Sequence, residues 1–120
     1  MDKQKEINEK IENNLKLIID YLKQKKYKYL KTFDISKISV LADYFVIISL
    51  ENMRAVESLK SELTDFLQKN SIDIRSKEGE YSPWILLDLN EIIIHIFNED
   101  DRQFYDLEKI WADANIVDYS

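Results

Sequence analysis

The 120-residue chain has no cysteine, one glycine, one proline and one histidine. Each scarcity removes a class of chemistry. Without cysteine there is no disulfide, no thiolate nucleophile and no Cys-ligated zinc. A single glycine, Gly79, cannot build a phosphate-cradling loop, which needs several glycines for close approach of backbone to anion. A Ser-His-Asp constellation would have to use His95, yet no serine stands in a glycine-flanked elbow. His95 sits among Ile94, Ile96 and Phe97, where the expectation is a satisfied, partly buried imidazole; a catalytic base is the competing reading. One histidine with scattered carboxylates is a poor metal site, and Glu99-Asp100-Asp101 is explained by the dipole of a helix that starts there. No apolar run approaches the ~20 residues needed to cross a bilayer. Met1 to Glu6 also lacks the apolar core of a secretory signal, so cytoplasmic residence is expected.

What is present is a globular composition, 45% hydrophobic and 33% charged, in a length suited to one domain. Charge is divided along the chain. Residues 1–31 carry nine lysines against five acids, whereas residues 32–120 carry eight basic residues against eighteen acids, for a net charge of −6 overall. An acidic body repels phosphate backbones, so little direct nucleic-acid contact is expected, and a basic protein partner suits it. Lys23, Lys25, Lys26, Lys28 and Lys31 could touch RNA, but they also suit the C-terminal end of a solvated helix.

Periodicity predicts α-β-β-α-β-β-β-α in one domain, an α/β fold with a mixed sheet of about five strands and helices packed on it. Ile7, Ile11, Leu15, Ile18, Ile19 and Leu22 recur at helical spacing, making residues 1–26 an amphipathic N-terminal helix. Residues 27–35 favour extended structure, and 43–49 form a nearly continuous apolar run, as in a strand covered on both faces. Val56, Leu59, Leu63, Phe66 and Leu67 mark a second helix, with Asn52 as N-cap and Asn70 as its left-handed stop. A short strand over 72–75 is expected next, then a loop over 77–83. Two strands, 84–89 and 92–97, are joined by a tight Asn90-Glu91 turn. Phe104, Leu107, Ile110 and Trp111 form the buried stripe of a last helix begun at Asp100 or Asp101.

Mixed domains of this size include nucleotidyltransferase relatives, whose chemistry needs two carboxylates at i and i+2 on a strand after a Gly-Ser loop. Asp106-Leu107-Glu108 is the only Asp-x-Asp/Glu spacing, its setting is helical so the two acids diverge, and the Gly-Ser element is missing. Catalysis is therefore not expected. On the 84–89 strand Trp84, Leu86 and Asp88 share one face, and the aliphatic Ile85, Leu87 and Leu89 share the other. The aliphatic face suits the core. Trp84 suits either a core edge or, if exposed, an interface anchor. In the last helix Tyr105, Asp106, Glu108 and Lys109 point outward, as a solvated face would.

Several of these stretches, Ala42-Asp43-Tyr44-Phe45-Val46-Ile47, Arg54-Ala55-Val56, Glu78-Gly79, Trp84-Ile85-Leu86-Leu87-Asp88 and Ile92 to Phe97, resemble the ribosomal silencing factor (Iojap-like) family. Arg102, Phe104, Tyr105, Leu107, Glu108, Trp111, Asp113 and Ala114 continue the pattern in order, so the likeness spans roughly residues 32–114. The resemblance implies a nucleotidyltransferase-like fold without its catalytic motif, no cofactor, and binding to the large ribosomal subunit through ribosomal protein L-fourteen. Bound there, such a factor blocks joining of the small subunit and lowers translation. The resemblance also implies a possible homodimer, and organelle relatives that act in large-subunit assembly. An assembly role and a divergent nucleotidyltransferase are the alternatives. Carried over by position, Trp84 is the first choice for an anchor, with Leu86, Asp88 and Glu91 as neighbours, and Tyr105 and Glu108 as contact or scaffold. Two departures stand out: Ser49-Leu50-Glu51-Asn52 and Asn90 replace turns that carry glycine in the family.

Overall fold

A computed structural model describes residues 2–101 and 115–117. The elements are α1 (Asp2–Lys23), β1 (Tyr27–Asp34), β2 (Tyr44–Leu50), α2 (Met53–Lys69), β3 (Ser76–Glu78), β4 (Trp84–Asp88), β5 (Ile92–Asn98) and β6 (Asn115–Val117). The strands form one mixed sheet in the order β3-β4-β5-β2-β1-β6. Its central pair, β2 and β5, is parallel, and every other pair is antiparallel. The α/β reading holds, with six strands rather than about five. The expected last helix, with Phe104, Leu107, Ile110 and Trp111, falls outside the described residues, although Glu99 to Asp101 are already helical.

Both described helices pack on one face of the sheet. Leu15, Ile18, Ile19 and Leu22 of α1 and Val56, Leu59, Leu63 and Leu67 of α2 join Val46, Ile48, Ile85, Leu87, Ile94 and Ile96 in one buried cluster. The apolar stripe of α1 begins later than the spacing suggests, because Ile7 is half-exposed near the free end of the helix. Phe66 is only partly buried and stacks on Tyr21 at 4.1 Å between ring centroids. The opposite face carries a second cluster of Phe33, Ile35, Ala42, Phe45, Ile47, Ile93 and Phe97. Strand β2 is thus buried on both sides, as its unbroken apolar run requires.

The turns explain how so few glycines suffice. Asn52 caps α2 by accepting from the Ala55 N–H, and its own φ of −154 is ordinary extended backbone. No glycine is needed between β2 and α2. At the other end of α2 the expected stop shifts by one residue. Asn70 has φ −101, and Ser71 takes the left-handed conformation at φ 58. The Ser71 N–H donates to the Gln68 carbonyl and the Ile72 N–H to the Leu67 carbonyl, the paired bonds of a Schellman motif. Ile72 and Leu67 are both buried in the helix-side cluster, which supplies the apolar contact that accompanies this cap. Because the chain at 72 is still turning off the helix, β3 forms at 76–78 instead of 72–75. Between β4 and β5 the Leu89 N–H donates to the Ile92 carbonyl across Asn90-Glu91, with Asn90 at φ 82. Asparagine tolerates that region better than other side chains, so it serves here in place of glycine.

Candidate docking surface

On the face away from α1 and α2, the strand registers set side chains in rows. Trp84, Phe97, Ser49 and Tyr29 make the first, followed by Leu86, His95, Ile47 and Lys31, then Asp88, Ile93, Phe45 and Phe33. The clusters contain Trp84 and Leu86 on one side and Ile85, Leu87 and Leu89 on the side of the helices, as the sequence-based assignment of the β4 faces has it, and the register sets Asp88 opposite Ile93 on the Trp84 side. The first row is the most aromatic, and it lies at the end where β4 begins.

Trp84 is fixed through its backbone before its side chain makes any contact. Ser82 Oγ accepts from the Trp84 N–H (3.2 Å) and donates to the Trp84 carbonyl (2.7 Å). The Asn98 N–H bonds the Pro83 carbonyl at 3.0 Å. The preceding turn needs Gly79, which has φ 79 and whose place would force an added Cβ into the Trp84 carbonyl oxygen. The half-buried indole stacks on Phe97, its cross-strand partner, with centroids 5.1 Å apart and planes 21° apart. Its Nε1–H donates to His95 Nδ1 at 3.0 Å.

His95 is more enclosed than expected, at 3% exposure, with the Phe45 ring set edge-on at 4.6 Å. Burial lowers its pKa to about 4, so the imidazole is neutral at pH 7. The indole can only donate, so Nδ1 carries the lone pair and the proton sits on Nε2. Among the described residues the buried Nε2 has no hydrogen-bond partner, so the expected satisfied histidine is satisfied there on one nitrogen only. Beside it Ser49, fully buried, donates to the Glu99 carboxylate.

The other expected site residues separate into distinct environments. Leu86 is half-buried against the same aromatic cluster. Asp88 is 9% exposed and its carboxylate is engaged on both oxygens. Oδ2 receives Arg75 Nη2 (2.5 Å) and Nε (3.2 Å), and Oδ1 receives the Asn90 N–H (2.8 Å). Arg75 also reaches Asn90 Oδ1 at 2.9 Å, so it clamps the β4–β5 turn. Sequence reasoning missed Arg75; a lone arginine on a short edge segment gives no local signal of its partner. Glu91 lies in that turn, roughly 13 Å or more along the strand from Trp84 at ~3.3 Å per residue. Its backbone carbonyl accepts from Asp43 and Tyr44, and its carboxylate from Asn90 Nδ2. Asp43 titrates above the usual carboxylate range, mainly because it is desolvated and further because Glu91 and Asp34 are near. The turn end of the sheet is thus acidic and the Trp84 end aromatic. Tyr105 and Glu108, and with them the Asp106/Glu108 spacing, lie outside the described residues. Among the described residues no group of three or more His, Cys, Asp or Glu is placed to hold a metal, and no helix is long and apolar enough to cross a membrane.

Comparison with known proteins gives these positions a context. The family model described as ribosomal silencing factor during starvation matches residues 8–120. A ribosomal silencing factor from Halalkalibacterium halodurans is 33% identical over 105 residues, covering 87% of this chain and 90% of its own. The Bacillus subtilis ribosomal silencing factor is 32% identical over the same length, covering 87% and 89%. The chloroplastic Iojap protein of Zea mays is 25% identical over 75 residues, 62% of this chain and 33% of that protein. Among solved structures, one from Bacillus halodurans superposes with a TM-score of 0.77 at 30% identity, covering 89% of this chain and 98% of that one. Another from Chromobacterium violaceum gives 0.79 at 28% identity, covering 85% and 86%.

Proposed function

Because the chain belongs to the ribosomal silencing factor family, we propose that it represses translation without catalysis, by docking on the large ribosomal subunit through ribosomal protein L-fourteen. There it occupies space that the small subunit needs, and no covalent step is required. The site of action is the cytoplasm.

The observation that carries this reading is the setting of Trp84. A large aromatic side chain is held at a strand start by its backbone, by a ring stack and by a hydrogen bond, and it remains partly open to solvent. Rigid aromatic anchors of this kind dominate interface energetics. The net charge of −6, with the acidic residues concentrated beyond residue 31, supports a basic protein as the partner and a faster encounter with it. Asp34, Asp43 and Glu91 contribute that charge at the turn end of the sheet.

Co-sedimentation with purified large subunits, read together with a subunit-joining assay, tests the proposal. Trp84→Ala is expected to stay folded and to lose about 30-fold in affinity, the equivalent of an anchor worth ~2 kcal/mol, with joining restored in parallel. Folded Trp84→Ala that binds large subunits as well as the parent would show that Trp84 is not the anchor.

A further inference from the structure

We propose that His95 is a positioning residue of the docking surface: through its Nδ1 it fixes the indole of Trp84 in one orientation before a partner arrives. The inference rests on the reading of Trp84 as the anchor, and it adds a second residue whose removal weakens docking without touching the partner.

The geometry separates what each contact can do. Stacking on Phe97 holds the plane of the indole, but a stack has no donor or acceptor with which to choose the edge that carries the N–H. Among the described residues, the bond from Nε1–H to His95 Nδ1 is the contact that tells one edge of the indole from the other. His95 is the diagonal cross-strand neighbour of Trp84, since Trp84 pairs with Phe97 and Leu86 with His95. It is itself enclosed, at 3% exposure with Phe45 edge-on against it, so its surroundings give the indole a packed reference.

The unpartnered Nε2 points the same way. An apolar side chain would fill this place without burying a donor that has no acceptor. What an apolar side chain cannot do is accept from the indole. The imidazole is neutral at pH 7, so the accepting lone pair is present under cellular conditions. An anchor ordered in advance avoids the entropic cost of ordering at the moment of binding.

The test compares His95→Asn with His95→Leu in the full chain. The two replacements are nearly equal in size, but only asparagine offers an acceptor near the Nδ1 position. Large-subunit affinity is expected to fall by about fivefold in His95→Leu, one neutral hydrogen bond's worth, and to recover in His95→Asn. In a Trp84→Ala background, His95→Leu should add no further loss. Equal binding by folded His95→Leu and the parent, where Trp84→Ala alone is weak, overturns the positioning role and leaves the anchor in place. Full binding by Trp84→Ala overturns the anchor reading itself. A measurement on the unaltered protein stands apart from any folding defect: the Trp84 indole N–H should exchange with solvent deuterium far more slowly than that of free tryptophan. Exchange at the free rate would refute the proposal.

Discussion

Acidification should destabilise the protein through one residue, and the size of the effect can be worked out. The pKa of His95 is lowered from 6.5 to about 4 by burial. Between those values the unfolded chain takes up a proton that the folded chain refuses, so stability falls as pH falls. The contribution is fully present above pH 6.5, declines between 6.5 and 4, and is gone below 4. A difference of about 2.5 pH units at 1.36 kcal/mol each comes to ~3 kcal/mol. For a domain with a total stability of ~5–15 kcal/mol, that is a large share. Protonation would also place a hydrogen on Nδ1, the nitrogen that accepts from the Trp84 N–H, so the indole bond is lost together with the stability. Urea unfolding at pH 7.0, 5.5 and 4.5, followed by tryptophan fluorescence, measures the slope. His95→Leu removes the titrating group, and its stability should depend less steeply on pH than the parent's by ~2–3 kcal/mol across that range. Parallel pH profiles for the two proteins would refute the claim that His95 is buried and neutral.

Other perturbations probe the scaffold around the anchor. Gly79→Ala adds a side chain at φ 79 against the Trp84 carbonyl, and it should cost ~1–3 kcal/mol in denaturant unfolding while also weakening large-subunit binding. Arg75→Met leaves the Asp88 carboxylate with only the Asn90 N–H; because Arg75 is itself 58% exposed, a loss of ~1–2 kcal/mol is expected, with most of it absent in an Asp88→Asn background. Asp43→Asn should have the opposite sign. The folded pKa of Asp43 is raised, so its ionisation opposes folding as pH rises through that value, and the variant should melt higher than the parent at pH 7. The gain should shrink at acid pH, where the carboxyl is neutral, and only in part in high salt, which screens the repulsion from Glu91 and Asp34 but leaves the larger desolvation cost. An unchanged melting temperature at neutral pH would count against that electrostatic picture.

The elements that were legible from sequence are those whose signal is local. The stripe from Val56 to Leu67 and the cap at Asn52 define α2, and alternation along 84–89 assigns both faces of β4. Once the Asn90-Glu91 turn is accepted, the register that sets Leu86 opposite His95 and Trp84 opposite Phe97 follows from counting outward. The Trp84–His95 pair was therefore within reach of that counting, because both residues fall on the same face. What the sequence could not supply is non-local. β6 pairs Asn115–Val117 with residues 32–34, about eighty positions earlier, and three residues carry no periodicity of their own. β3 has the same weakness: it is short, and where it begins depends on how α2 unwinds through Ser71. Strand parity puts Asp88 on the Trp84 face, and the family resemblance grouped the two as neighbouring contact residues. Parity says nothing of Arg75, which turns that carboxylate into part of a turn clamp.

That clamp and the anchor stand at opposite ends of one five-residue strand, and the division has a consequence for how the surface works. At one end Arg75, Asp88 and Asn90 lock the β4–β5 turn and hence the register of the hairpin. A one-residue slip would carry every side chain of β4 to the other sheet face, setting Trp84 among the helices and Ile85 and Leu87 in its place. At the other end the serine and glycine of the 79–84 turn fix where the strand begins. The indole is thus specified twice, by register from one side and by backbone from the other, before Phe97 and His95 orient its ring. Under the docking role proposed above, a surface specified in this way would need no conformational search on its own side of the interface.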